Sequence, residues 1–146
     1  MPTAIISKIS TVLFLLFCIP AFAQNSTTAG QYQINYIAYN STFLEREVAK
    51  LYKITRAKNM AVINISVQDS KNEGKGVPAV VTGTSTNILH QIRNLTFRKV
   101  DSGDAIYYIS DYRFDQGDVL TFKLDVTGPG AQRPTPVEWQ QKFWKQ

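Results

Sequence analysis

Cysteine occurs once in the chain, at Cys18, and histidine once, at His90. Protein zinc sites take three or four nitrogen or sulfur ligands, so this supply builds none, and no metal is expected. Acid–base catalysis near neutral pH usually turns on histidine. A lone His90 between Leu89 and Gln91, at the edge of a predicted strand, reads more simply as a surface residue than as a base. No Gly-x-Ser-x-Gly elbow accompanies it, so the motifs assemble no nucleophile and no catalytic residue is assigned. The glycines at 74, 76, 83, 128 and 130 follow no phosphate-loop spacing and open no helix. Strand–helix–strand alternation is missing too, which excludes a doubly wound nucleotide fold. No cofactor is expected.

Charge is present but unpatterned. Sixteen Lys and Arg against eleven Asp and Glu give +5, with no block of one sign and no basic stripe interleaved with aromatics, so a nucleic-acid groove is not expected. Long apolar runs are also wanting. Residues 9–19 form an eleven-residue run, short of the roughly 20 needed to cross a bilayer, so the mature chain should carry no transmembrane span. That run instead fits a secretory signal. Lys8 precedes it, Pro20 breaks it, and Ala21-Phe22-Ala23 supplies the small-x-small site for cleavage between Ala23 and Gln24. A lipid anchor at Cys18 would need a small residue before it, and bulky Phe17 argues against that.

Cleavage would leave 123 residues of the 146 (146 − 23), enough for one domain and one core, and would remove the only cysteine. Losing Lys8 lowers the charge from +5 to +4. The expected organisation is a signal peptide over 1–23, a flexible leader over 24–30 and a single β domain over 31–146, in the periplasm.

Within the domain, alternation dominates. Tyr32, Ile34, Tyr36 and Ala38 alternate with polar residues, as on a half-buried strand. Thr42 and Glu45 have capping-box spacing, and Leu44, Val48, Leu51 and Tyr52 follow at helical intervals, which predicts one short helix. Ala61, Ile63, Ile65 and Val67 mark a central strand. The polar, glycine-containing loop after it and the β-branched run over 77–84 predict a hairpin. Ile106, Tyr108, Tyr112 and Phe114 share one face, and Leu120, Phe122, Leu124 and Val126 alternate cleanly with polar partners. About seven strands and one helix near the N-terminus predict an all-β, immunoglobulin-like antiparallel β-sandwich. A small closed barrel is the competing fold.

Three groups of residues invite a functional reading. Asp101, Asp104, Asp115 and Asp118 could offer oxygen ligands to calcium if their two turns converged, although aspartate beside glycine is ordinary turn chemistry. Lys50, Lys53, Arg56 and Lys58 form a basic stretch able to attract an anionic lipid or glycan, or simply to face water. Aromatic residues are the third group. Tyr107 and Tyr108 point to opposite faces of a strand, and Tyr39, Asn40, Tyr107, Tyr108 and Trp139 are the expected contact surface. Core and edge cover are the competing roles for the same rings. Asn-x-Ser/Thr triplets at Asn25, Asn40, Asn64 and Asn94 are read as chance, since Asn64 and Asn94 lie within predicted strands.

Residues 36–43 (YIAYNSTF), 57–67 (AKNMAVINISV), 95–97 and 105–109 (AIYYI), in this order, resemble domain-of-unknown-function family 4426, a group of short exported bacterial proteins. The resemblance covers nearly the whole mature chain and implies a periplasmic setting and an immunoglobulin-like sandwich. It implies no activity, because the family has no assigned catalytic residues. The connector over 128–136 and the basic end depart from the family pattern. Two functions follow as expectations: a non-enzymatic interaction or assembly module whose partner is an envelope protein or glycan, or a cofactor-independent hydrolase or isomerase using a cleft at the sandwich end.

Overall fold

The computed structural model of the chain describes residues 25–146. The expected signal, its Ala23/Gln24 cleavage site and Cys18 lie outside the described residues. The elements in chain order are β1 (Asn25–Ala29), β2 (Tyr32–Asn40), a 3-10 turn (Ser41–Phe43), α1 (Arg46–Leu51), β3 (Met60–Asp69), β4 (Lys75–Gly76), β5 (Val80–Thr86), β6 (Ile92–Leu95), β7 (Arg98–Asp101), β8 (Ile106–Arg113), β9 (Val119–Thr127) and β10 (Thr135–Lys142). All strand pairings are antiparallel. One sheet runs β1-β2-β3-β8-β7, with β4 attached to β3, and the other runs β10-β9-β5-β6. Taking β2 as strand A and β3 as B, the first sheet reads A-B-E-D and the second G-F-C-C′, which is immunoglobulin strand order. The sandwich expected from the alternation is therefore the fold.

Each inward face supplies the apolar half of an alternating strand. Ala61, Ile63, Ile65 and Val67 of β3 meet Leu120, Phe122, Leu124 and Val126 of β9 in the core between the sheets, all of them buried. Aromatic rings carry much of it. Phe122 lies 4.8 Å from Trp139 and edge-on to Tyr112 at 6.3 Å, Trp139 lies 4.9 Å from Tyr36, and Phe114 stacks on Phe143 at 5.0 Å. A second apolar cluster lies outside the first sheet, where Ala49 and Ile54 from the helical segment cover Val62 and Ile109.

Several expectations are corrected. Ten strands form among the described residues rather than about seven, because short β1, β4 and β7 carry too few residues to show a period. Asn25–Ala29, expected within a flexible leader, pairs with β2 as an edge strand, its Thr27 opposite Ile34. Small polar residues with Thr content give an edge strand no hydrophobic signature, since one side of it needs only backbone partners. The capping box also fails: Thr42 sits in the 3-10 turn, Glu45 takes the cap position without a side-chain bond, and the buried helix residue is Ala49. Leu51 is exposed.

The hairpin expected between residues 60–69 and 77–84 begins and then stops. Lys75 and Gly76 pair back onto Asp69 and Gln68, and the Val77 amide donates to the Val67 carbonyl at 2.9 Å. Pro78 has no N–H with which to extend the ladder. The next amide, that of Ala79, donates to the Tyr108 hydroxyl at 2.7 Å instead, and the chain crosses to the other sheet, where β5 pairs with β9 and β6.

Two inward side chains, Ser85 and Trp139, carry a buried polar atom with no hydrogen-bond partner among the described residues. Ser85 is fully buried opposite Phe122 and its hydroxyl makes no hydrogen bond among the described residues. A buried unsatisfied hydroxyl is destabilising, so Ser85→Ala should hold stability or raise it by about 1 kcal/mol. Urea denaturation checks this. A loss above about 1 kcal/mol would mean that the hydroxyl is satisfied in solution.

Candidate interaction surface

The residues expected to form a contact surface are not brought together on one. Tyr108 is buried in the core with its hydroxyl accepting from Ala79, and Trp139 is packed between Tyr36 and Phe122. Asn40 is also buried, and its Nδ2 donates to the Trp144 carbonyl at 2.6 Å. Tyr39 and Tyr107 lie half-buried against the outer cluster beneath α1. Desolvation by burial raises the Tyr39 phenol above its ordinary pKa of 10.0, so it stays neutral at physiological pH.

The two Asp-containing turns stand at opposite ends of β8, one before Ile106 and one after Arg113. An eight-residue strand at about 3.3 Å per residue keeps them roughly 26 Å apart, so the convergence a shared calcium site needs is lost. Their carboxylates serve their own turns: Asp101 accepts from the Gly103 amide at 3.1 Å and Asp118 from the Asp115 amide at 2.7 Å. Among the described residues no group of three or more His, Cys, Asp and Glu could hold a metal ion.

Exposed apolar side chains gather at one end instead. This end holds the β5–β6 turn, the β8–β9 turn, the start of the β2–β3 connection and the residues after β10. The ends of the two sheets meet there, since Arg93 donates to the Arg113 carbonyl at 3.3 Å and Asn40 reaches the Trp144 carbonyl. Ile88 and Leu89 at the β5–β6 turn are 71% exposed, and Ile92 is 69% exposed. Phe43 and Trp144 add half-exposed rings. Of the remaining large exposed apolar residues, Leu51 is on α1 and Val80 begins β5 at the far end.

The turn that carries Ile88 and Leu89 is built rather than loose. Asn87 Oδ1 accepts from the amides of Leu89 and Gln91, both at 3.0 Å, and its Nδ2 donates to Gln91 Oε1 at 2.7 Å. The His90 amide donates to the Asn87 carbonyl at 3.0 Å, and His90 takes a left-handed φ of 60°. Five hydrogen bonds within residues 87–91, three of them between Asn87 and Gln91 and counting the 3.3 Å bond from the Asn87 amide, hold the apolar pair in one place. Beside the turn, an open groove of about 390 Å³ runs over the outer face of the second sheet, lined by Asn87, Ile88, His90, Lys123, Glu138 and Gln140 among others. His90 lines it, and among the described residues its ring makes no hydrogen bond.

Trp144 is anchored in the same manner. The Gly117 amide donates to the Phe143 carbonyl, the Phe143 amide to the Asp118 carbonyl and the Lys145 amide to Gln116 Oε1. The Trp144 ring then lies against Gly117, at 3.4 Å from where a side chain there would begin, with the Lys142 ammonium 4.4 Å from its centre. Sequence reading passed over Ile88, Leu89 and Ile92 because apolar residues near a strand end resemble core. The available signal was Asn87, a turn former placed directly before them.

The fold and this end define a class: an immunoglobulin-like sandwich with an ordered apolar display at one end. The chain belongs to the DUF4426 family, described as a domain of unknown function, which matches residues 26–146. A crystal structure of a DUF4426 family protein from Pseudomonas aeruginosa is similar, with 26% identity and a TM-score of 0.73 over 84% of this chain and 96% of that one. FetP of uropathogenic Escherichia coli, recombinantly expressed in the periplasm of a laboratory strain, shares the fold at 10% identity and a TM-score of 0.58, over 84% of this chain and 95% of that one. A copper-bound FetP variant matches at 10% identity and a TM-score of 0.60, over 85% of this chain and 97% of that one. No functionally curated protein matches the sequence. Among the described residues, no helix is long and apolar enough to cross a membrane.

Proposed function

We propose that this chain is a non-enzymatic interaction module of the periplasm that docks an envelope protein through the β5–β6 end of its sandwich. The observation that carries this reading is the pair Ile88 and Leu89, 71% exposed on a turn that Asn87 holds rigid. Contiguous exposed apolar surface is costly in a monomer and marks contact sites. A preordered turn also loses little conformational entropy on binding. Trp144 and Phe43 supply the large rings that dominate interface energies, and Trp144 is held beside a cation. The signal pattern over 1–23 supports the location.

Ile88→Asp with Leu89→Asp tests the reading. Both residues are exposed, so the double variant should fold with unchanged stability and a native far-UV spectrum. Native capture from envelope fractions should recover a discrete partner with the wild-type chain and lose it, by about tenfold or more, with the variant. An identical recovery with both chains would place the contact elsewhere.

A further inference from the structure

Beside α1 lies an open pocket of about 380 Å³ lined by Arg46, Lys50 and Arg56 together with Ala49 and Ile54. Ala49 and Ile54 are buried and form an apolar floor. The three cations have no acidic partner: the ion pairs among the described residues are Arg98–Asp111 and Lys123–Glu138. Arg46 and Lys50 are four residues apart on one helix face, an arrangement in which like charges repel unless an anion sits between them. The surrounding segment deepens the field, since residues 45–58 carry five basic side chains against two acidic ones, a net +3.

Arg56 is the most telling member. Its Nε donates to the Leu44 carbonyl at 2.8 Å and its Nη2 to the Thr42 carbonyl at 2.9 Å. A guanidinium has five N–H donors, so these two bonds fix the plane of the group and leave the others for a ligand. Such a fork, held before binding, suits a tetrahedral oxyanion through paired N–H···O bonds. Two further cations alongside it, Arg46 and Lys50, add charge and N–H donors for the phosphate oxygens.

We propose that this pocket is a phosphate-binding site, with Arg56 as the positioned fork and Arg46 and Lys50 as charge partners above the Ala49/Ile54 floor. The shared chemistry is a phosphate group, and its source is either free phosphate or the headgroup of an anionic phospholipid. The site uses none of the residues of the β5–β6 turn.

Titration of the mature chain with inorganic phosphate at low ionic strength, followed by backbone amide NMR, should give saturable shifts confined to residues 42–57. Arg46→Gln with Lys50→Gln should weaken binding by about tenfold, while Lys123→Gln, a cation on the other sheet, leaves it unchanged. Arg56→Gln should do the same but also releases two backbone contacts, so the Arg46/Lys50 variant carries the decision. Flotation with phosphatidylcholine vesicles, with and without phosphatidylglycerol, separates the sources. Binding to phosphatidylglycerol vesicles alone, lost in the Arg46/Lys50 variant, assigns the lipid headgroup. Binding to inorganic phosphate assigns the free ion. Failure of both ligands to bind overturns the site, and so does equal loss with Lys123→Gln, which would show only diffuse charge attraction.

Discussion

Phe122→Ala should lower the unfolding free energy by about 3–5 kcal/mol. Phe122 is fully buried at the middle of β9, and its ring meets Trp139 at 4.8 Å, Tyr112 at 6.3 Å and Phe143 at 6.3 Å. Tyr112 belongs to the first sheet and Trp139 to the second, so removing the ring opens a cavity between the layers rather than at an edge. The neighbouring rings cannot close it without leaving their own contacts. Residues 25–146 contain no cysteine, so no disulfide offsets the loss. Against a typical stability of about 5–15 kcal/mol this is a large fraction, and a marginal chain would unfold at room temperature. Urea denaturation should show the midpoint falling with an unchanged slope. A loss below about 1 kcal/mol would mean that the layers are not joined through this ring.

Gly83→Val should destabilise by about 3 kcal/mol or more, for the opposite reason. Gly83 stands opposite Leu124 in the β5–β9 ladder, where a side chain's first carbon would lie 2.4 Å from the Lys123 carbonyl oxygen and 2.8 Å from Leu124 Cα. Those are backbone atoms of a central strand and cannot step aside. The requirement is one of close approach and not of an unusual backbone angle, unlike Gly103, whose φ is 86° and whose surroundings are open. Thermal melting of the two chains side by side checks it. An unchanged midpoint would require β5 and β9 to be further apart than they are here.

Strands with a long inward period were legible in the sequence. Residues 61–67 and 120–126 expose one apolar face each, and both became the two halves of the core. Residues 106–114 read correctly for the same reason. What failed was pairing. The run over 77–84 has strand chemistry whichever sheet receives it, and only the missing amide of Pro78, with Tyr108 waiting to take the Ala79 amide, sends it across. Short strands such as Lys75–Gly76 have no period to read.

The contact surface was less legible than the fold. Tyr108 and Trp139 are amphipathic, and sequence cannot tell whether a ring with a polar atom faces a partner sheet or solvent. In the folded chain each is buried in the core between the two sheets. Asn40, expected at the contact surface, instead pins the backbone of Trp144, whose ring is half-exposed. The basic stretch of Lys50, Lys53, Arg56 and Lys58 is legible in the sequence, whereas Arg46 joins Lys50 and Arg56 only once α1 brings residues 46 and 50 onto one face. The two aspartate turns looked equivalent in sequence and are separated by the full length of β8.

Photo-crosslinking in living cells tests the interaction reading most directly. A photoreactive residue at 88, 92 or 144 reports on the apolar end, and one at 80 provides the control, because Val80 is 63% exposed at the opposite end of β5. Discrete adducts with one envelope protein are expected from 88, 92 and 144, with none from 80. Adducts of equal yield from position 80, or none from the three end positions, would contradict a docking role for this end of the sandwich.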